Sequence, residues 1–369
     1  MSRILITGSR APVALDLGRA LRRAGHEVHV ADVRRNHLLT GFPQSVYAAP
    51  AQAPERFACD ILRLQSALEP DLIIAMCEEV FHLAHMAVDH PLPLYAPPFD
   101  QLMSLHSKFA FNAWVRALGL DAPQTERITS DVLPTPVGAW VFKPEFSRFG
   151  FRCYLKLDKK DSEYINKNRY YAWLRQAYVP GEDLCIHALA RDGQMTAFAA
   201  YRSNWRTAGG ASYHFQPVAP ELGARLRDIA ERIIIAGRLT GQIAFDLRHA
   251  PDGRLWLIEC NPRATSGLHL LTHDPDGLSR ALLTIGPCLE AGPDPACVGL
   301  AMGLYGLPKA LRTGRTDQWR RDMKARDVLA GARLGALADS LGYSLAATLR
   351  GQSLAQVLTH DIECNGWPQ

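Results

Sequence analysis

The chain has 369 residues, 47% of them hydrophobic and 21% charged, with a formal net charge of +4. That is ordinary globular composition in a chain long enough for two or three domains with their own cores. The near balance of 41 basic and 37 acidic residues gives no indication of a nucleic-acid or membrane-surface partner, and no apolar run reaches bilayer-spanning length. Eight cysteines, at 59, 77, 153, 185, 260, 288, 297 and 364, form no CxxC and no zinc spacing. They read as small buried residues of a reduced, cytoplasmic protein. Met1 leads directly into a strand, so no signal peptide is expected.

Strand and helix alternate over the first hundred residues. Ile4–Thr7 reads as a buried strand and Ala11–Ala24 as an amphipathic helix ended by Gly25. Glu27–Ala31 is a second strand closing on Asp32, Pro54–Leu68 a helix, and Asp71–Met76 a further strand. This alternation implies a parallel, doubly wound sheet. The Pro-rich passage from His90 to Pro98 reads as a domain boundary, and a helix follows from Ser104 to Leu118. From Ala139 the pattern becomes antiparallel, with strands at Ala139–Lys143, Gln176–Val179, Leu184–Ala190 and Met195–Arg202. A helix, Glu221–Leu239, precedes the most informative stretch, and beyond Pro287 the chain reads as mainly helical.

Residues 241–271 read as a β-hairpin turning at Pro251-Asp252-Gly253. With Ala250–Gly253 as the connection, His249 pairs with Arg254 and Asp246 with Leu257. Asp246, Leu257, Glu259 and Asn261 then share one face, while Phe245, Leu247, Trp256 and Ile258 share the other. Asp246 and Glu259 become diagonal neighbours roughly 7 Å apart. Two carboxylates that close repel unless one is protonated or a cation lies between them, and hard oxygen ligands suit Mg²⁺ or Mn²⁺.

The ordered set Lys108, Lys143-Pro144, Pro180-Gly181-Glu182, Asp246 and Glu259-Cys260-Asn261-Pro262-Arg263 resembles the ATP-grasp superfamily, in particular its carbamoyl-phosphate-synthetase-like branch. The resemblance spans about Ile4 to Leu271. It implies α/β and α+β architecture: a Rossmann-like domain over 1–100, ATP-grasp subdomains over 101–185 and 186–290, and a mainly helical extension over 291–369. It implies a single ATP-grasp unit that phosphorylates a small carboxylic acid to an acyl phosphate. An amine, or a thiol, captures the acyl group, releasing ADP and phosphate.

By the same resemblance, Lys108 and Lys143 contact phosphates, and the backbone of Gln176, Tyr178 and Val179 reads the adenine. Asp183 lies on the ribose hydroxyls. Asp246, Glu259 and Asn261 hold magnesium, and Arg263 faces the transferring phosphoryl group. Relatives carry several glycines after the second lysine, whereas this loop is Pro144-Glu145-Phe146-Ser147-Arg148-Phe149-Gly150. Ser147 and Arg148 are therefore expected to supply side-chain donors in place of some backbone N–H groups. Arg206, with Gly209 and Gly210, is expected near the acyl phosphate or acceptor. Ala244 stands where the D-alanine ligase branch has an arginine, which argues against that subgroup.

Glu78 and Glu79 leave the carboxyl end of a parallel strand, the usual ligand edge, and are candidates for a substrate amino group. Thr265, Ser266 and His269 are candidates for acceptor binding. The expected partners are small carboxylate and amine substrates; a homodimer is compatible with the sequence. The competing readings are an NAD(P)-dependent oxidoreductase, with Asp32 as ribose-binding acid, and a non-catalytic nucleotide-binding protein. The first lacks GxGxxG, since Gly8 is the only glycine in its turn.

Overall fold

The computed structural model describes residues 1–128, 140–148, 152–155, 159–168, 172–207 and 211–366. The expected positions Ala139, Phe149, Gly150, Gly209 and Gly210 lie outside the described residues. No helix among the described residues is long and apolar enough to cross a membrane.

Four strands open the chain: β1 (Arg3–Thr7), β2 (Glu27–Asp32), β3 (Gln44–Val46) and β4 (Leu72–Ala75). They form a parallel sheet in the order β3-β2-β1-β4. Strands β1 and β4 are near-continuous apolar runs, as a sheet covered on both faces requires. On one side α1 (Pro12–Arg23) buries Val13, Ala14, Leu17 and Leu21, a helical spacing. On the other, α2 (Pro54–Leu68) and α3 (Glu79–Asp89) bury Phe57, Ile61, Phe81 and Leu83.

The Pro-rich passage is not a linker. Ile73 N–H donates to Pro93 O at 2.8 Å and Tyr95 N–H to Ile73 O at 2.9 Å, so the segment runs parallel beside β4. Proline tolerates that edge because it lacks only the N–H that would face outward. Tyr95 Oη then donates to Ala190 O at 2.9 Å, joining the parallel sheet to the next one.

The helix expected over Ser104–Leu118 is two helices, α4 (Phe99–His106) and α5 (Lys108–Ala117). Ser107 takes an extended conformation between them and its hydroxyl caps α5, accepting from Ala110 N–H at 3.0 Å. Next come β5 (Thr125–Arg127), β6 (Trp140–Pro144) and β7 (Trp173–Ala177), an antiparallel sheet with β7 central. The strand expected at Gln176–Val179 therefore ends at Ala177, and Tyr178 and Val179 lie in the connection to the large sheet.

That sheet contains β8 (Glu182–Arg191), β9 (Gln194–Arg202), β10 (His214–Pro217), β11 (Gly241–His249) and β12 (Leu255–Asn261). Three short late strands, β13 (Leu289–Glu290), β14 (Ala296–Cys297) and β15 (Arg326–Asp327), complete it. The main path is β12-β11-β8-β9-β10-β14-β15, with β13 on β9. The last eighty residues are thus not a separate helical appendage: β14 and β15 are part of the central sheet. Gly241, at the start of β11, packs tightly on the segment beside β4. Its φ is +122° and an added Cβ would lie 2.8 Å from Ala96 Cα, so only glycine fits.

Candidate active site

The hairpin β11–β12 departs from ideal pairing in one place, and that place is the site. Near the turn His249 pairs with Leu255, Arg248 with Trp256 and Leu247 with Leu257. A bulge then skips Ile258, so Asp246 pairs directly with Glu259 and Ala244 with Asn261. The expected His249–Arg254 and Asp246–Leu257 pairs do not form. Leu257 turns into the core beside Phe245 and Leu247, and Trp256 sits on the polar face, the reverse of the alternation expected, because the connection includes Arg254 and is one residue longer. The residue skipped at the bulge cancels that register error: Asp246, Glu259 and Asn261 still share a face, closer than a diagonal pair.

The freed carbonyl of Ile258 does not go unsatisfied. Asn112 Nδ2 of α5 donates to it at 3.0 Å and Gln176 Nε2 of β7 at 3.4 Å. Gln176 is thus a buried side chain locking the small sheet to the bulge, a role distinct from the expected backbone contact.

Above the paired acids lie two buried ammonium groups. Because Ser107 breaks the helix, Lys108 is the first residue of α5, where its charge opposes the helix dipole. Its Nζ donates to Ser147 O at 2.9 Å and Glu145 O at 3.3 Å, and stands 3.6 Å from Glu259 Oε2. Lys143, alternating with Phe142 along β6, brings Nζ to 3.8 Å from the same oxygen. Burial pushes the Lys143 ammonium below its ordinary pKa, against the pull of Glu259.

Asp246 and Glu259 are within hydrogen-bonding reach of each other and titrate in opposite directions. Burial and the neighbouring Glu259 raise Asp246 to about 6. Burial also opposes ionisation of Glu259, but Lys108 and Lys143 outweigh it and hold that carboxyl below its usual value. Asp246 further accepts from Asn261 Nδ2 at 3.0 Å and from the Cys185 thiol at 3.1 Å. Arg263, just past Pro262, donates to Asn261 Oδ1 at 3.2 Å and Ala264 O at 3.1 Å.

The donor set fits a divalent cation: two close carboxylates whose joint ionisation is penalised, plus an amide oxygen. No cluster of three or more His, Cys, Asp or Glu side chains suited to a metal occurs among the described residues; beside the two acids stands Asn261, whose Oδ1 accepts from Arg263.

Other expected site residues are placed elsewhere. Arg148 turns away from the lysines: it pairs with Glu78 Oε2 at 2.6 Å and with Glu363, and donates to Asn365 Oδ1 at 3.1 and 3.2 Å. Glu78, now between Arg148 and the Cys364 N–H, is a buried ion-pair partner. Glu79 is fully buried and accepts from Thr7 Oγ1 at 2.9 Å and Met76 N–H at 3.0 Å, closing the β4 turn. His269 is a core residue whose Nδ1 lies 2.9 Å from Asp16 Oδ2, in a cluster that Arg326 completes.

Arg206 binds Asp183 Oδ2 at 2.7 Å, and Arg248 binds its Oδ1 at 2.8 Å, so those three form a half-exposed ion cluster at the start of β8. Ser147 offers its carbonyl to Lys108, while its hydroxyl contacts Pro144 O at 3.4 Å. Ser266 opens a short helix, and Thr265 Oγ1 is 3.3 Å from His187 Nδ1. Tyr178 and Val179 line a surface cleft of about 720 Å³ with Trp256, Pro180 and Asp121. Asp32 is enclosed by Arg10, whose Nε and backbone N–H both donate to it, which leaves no oxygen aimed at a dinucleotide ribose.

The sequence reading missed Asn112, Cys185 and the C-terminal tail. Asn112, mid-helix in an apolar stretch, was visible as a buried amide needing partners; the tail contacts had no local signal.

No family model matches the chain, and no curated protein matches it in sequence. Solved structures do match. An N5-carboxyaminoimidazole synthetase from Staphylococcus aureus superposes with a TM-score of 0.62 at 14% identity, over 83% of this chain and 85% of that one. An L-amino acid ligase from Bacillus licheniformis gives 0.59 at 14% identity, over 77% and 75%. The biotin carboxylase domain of a Hydrogenobacter thermophilus 2-oxoglutarate carboxylase, solved with MgADP and bicarbonate, gives 0.61 at 11% identity, over 76% and 70%. These likenesses show that the chain has the fold of the ATP-grasp ligases.

Proposed function

We propose that this protein is an ATP-dependent ligase that activates a small carboxylic acid as an acyl phosphate and passes the acyl group to an amine, or to a thiol. The single observation behind this reading is the convergence of Lys108, Lys143, Asp246, Glu259 and Asn261 at the β-bulge. A site that only needed stability would not hold two ammoniums and two close carboxylates in one buried space. A nucleotide's phosphates and a divalent cation complete both charge sets at once.

In this reading Asp246, Glu259 and Asn261 hold Mg²⁺, with Mn²⁺ an acceptable substitute. Held there, a divalent ion would supply neutralising charge to the nucleotide's phosphates. Lys108 and Lys143 bind phosphate oxygens and keep them in line with the acceptor carboxylate. Arg263, oriented by Asn261, faces the transferring phosphoryl group and then the tetrahedral centre formed by the amine. Tyr178 and Val179 hold the base, and Asp183 the ribose, once Arg206 exchanges its carboxylate for the acyl phosphate. The substrate lies where Arg263 and the carboxyl edge of the parallel sheet meet. Arg263 acts electrostatically on both Cys77 and Glu78 there, which supports that placement.

The test is ADP release in the presence of Mg²⁺ and ATP across a matrix of carboxylates and amines. The reading predicts ADP formation that needs both a carboxylate and the metal. Absence of carboxylate-dependent ADP with every amino acid, keto acid and bicarbonate tried, despite ATP binding, would overturn it.

A further inference from the structure

The helix over residues 333–350 presents its apolar side outward. Leu334, Leu337, Leu341, Leu345 and Leu349 are exposed at between 37% and 84%. Their spacing of 3, 4, 4 and 4 residues draws one stripe along the whole helix. No charged residue interrupts it, since Arg333 and Arg350 lie at the two ends and Asp339 faces inward.

The orientation is fixed by the opposite face. Ala336, Tyr343 and Ala347 are buried, and the Arg34 guanidinium lies 3.4 Å over the Tyr343 ring. Asp339 accepts from His37 N–H at 3.0 Å and Leu38 N–H at 2.8 Å. Gly335 fits against His37 O, only 2.3 Å from where a Cβ would stand. The helix therefore cannot roll its leucines inward without breaking these contacts. A contiguous apolar strip held outward marks an association surface.

The order of large and small residues identifies the occupant. Read outward from a point between Leu341 and Gly342, the helix is complementary to its own reverse. Leu341 stands opposite Gly342, Ala338 opposite Leu345, Leu337 opposite Ala346, and Leu334 opposite Leu349. Three of these four pairs set a leucine against a small residue, which is how knobs and holes interlock. A two-fold interface requires such self-complementarity, and an unrelated partner does not. We infer that this face joins two copies of the chain, the helices running antiparallel about an axis between Leu341 and Gly342.

An 18-residue helix is about 27 Å long, and one helix pair buries less than the ~800 Å² per partner of a standard interface. The dimer is therefore expected to dissociate in the micromolar range. The only like charges that meet are Arg333 and Arg350 at the rims, and Arg333 is already paired with Asp327 at 2.6 Å.

Sedimentation velocity of the full chain from 1 to ~100 µM tests this, together with the double variant Leu341→Arg/Leu345→Arg. Wild type should shift from monomer to dimer, and the variant should raise the dissociation constant about 10²-fold or more with an unchanged circular dichroism spectrum. Cysteine cross-linking tests direction in a background where the exposed Cys59 and Cys153 are serine. Ala338→Cys/Leu345→Cys should give a covalent dimer. Leu334→Cys alone should not, because its copies would lie about 22 Å apart, beyond disulfide reach. A monomer at every concentration, a dimer that survives the arginine pair, or cross-linking through Leu334→Cys would each overturn the inference.

Discussion

Two buried charge clusters sit close together in this molecule and are built differently. At the carboxyl edge of the parallel sheet Arg10 and Arg148 each have tight acidic partners from their own chain. Arg10 meets Asp32 and, at 2.7 Å, Asp361; Arg148 meets Glu363 and, at 2.6 Å, Glu78. At the β-bulge the lysines stand 3.6 and 3.8 Å from Glu259, and Asp246 is forced up to about 6 by burial and its acidic neighbour. The first cluster is closed by the C-terminal tail; among the described residues no ion pair tighter than 3.6 Å closes the second. Charge that a fold needs is paired within it, and charge kept for a ligand is left loosely compensated.

The largest expected effect breaks the closed cluster. Arg10→Ala leaves Asp32 and Asp361 facing each other in a buried space, and should cost about 3–5 kcal/mol of unfolding free energy in urea titrations. A loss under 1 kcal/mol would mean that this cluster, too, is only loosely held.

The open cluster should respond the other way. Asp246→Asn removes one of two repelling acids and keeps one of its two acceptor oxygens, Oδ1 on the Cys185 thiol or Oδ2 on Asn261 Nδ2. ADP production should fall about 10²–10³-fold with thermal stability unchanged or raised. Lost stability together with retained turnover would reverse the assignment of the two clusters.

A third test is the pH response of His106. It is buried beside Glu78 and Arg148, with Nε2 3.1 Å from Cys364 O. Burial lowers its pKa to about 4, from an ordinary 6.5. A histidine with a depressed folded pKa contributes stability that is full above 6.5 and is lost as pH falls from 6.5 towards 4. The loss should reach about 3 kcal/mol near pH 4. His106→Asn should flatten that segment of the stability–pH curve, and an unchanged slope would remove His106 from the account.

The smallest effect sharpens the open cluster. ATP with Mg²⁺ at a hundred times its dissociation constant should stabilise the fold by about 2.7 kcal/mol, and Asp246→Asn should abolish most of that shift. Equal stabilisation of both proteins would place the nucleotide elsewhere.

The legible parts of the sequence were those set by local pattern. Apolar runs separated by helices dictate β1, β2 and β4, and Pro251-Asp252-Gly253 dictates a hairpin. The Glu-x-Asn-Pro-Arg string marked the polar face even though the expected register was off by one. Alternation has period two, so an unseen bulge inverts every side chain beyond it. Trp256 and Leu257, on the turn side of the bulge, were instead exchanged by a connection one residue longer than expected, and the bulge cancelled that error for Glu259 and Asn261. Arg148 was misplaced for a different reason: its partners Glu363 and Asn365 are over two hundred residues away, and no pattern announces them.

Residue order thus determined which strands, helices and turns form, and which residue types can bind phosphate and a divalent ion, because those follow from near neighbours and intrinsic chemistry. Folding in three dimensions decided which charges are spent on each other and which remain for a ligand. Glu78 and Arg148 were spent; Lys108, Lys143, Asp246 and Glu259 are the more loosely compensated. The energy of a buried charge depends on its nearest opposite charge in space, and that distance is fixed only when the whole chain has packed.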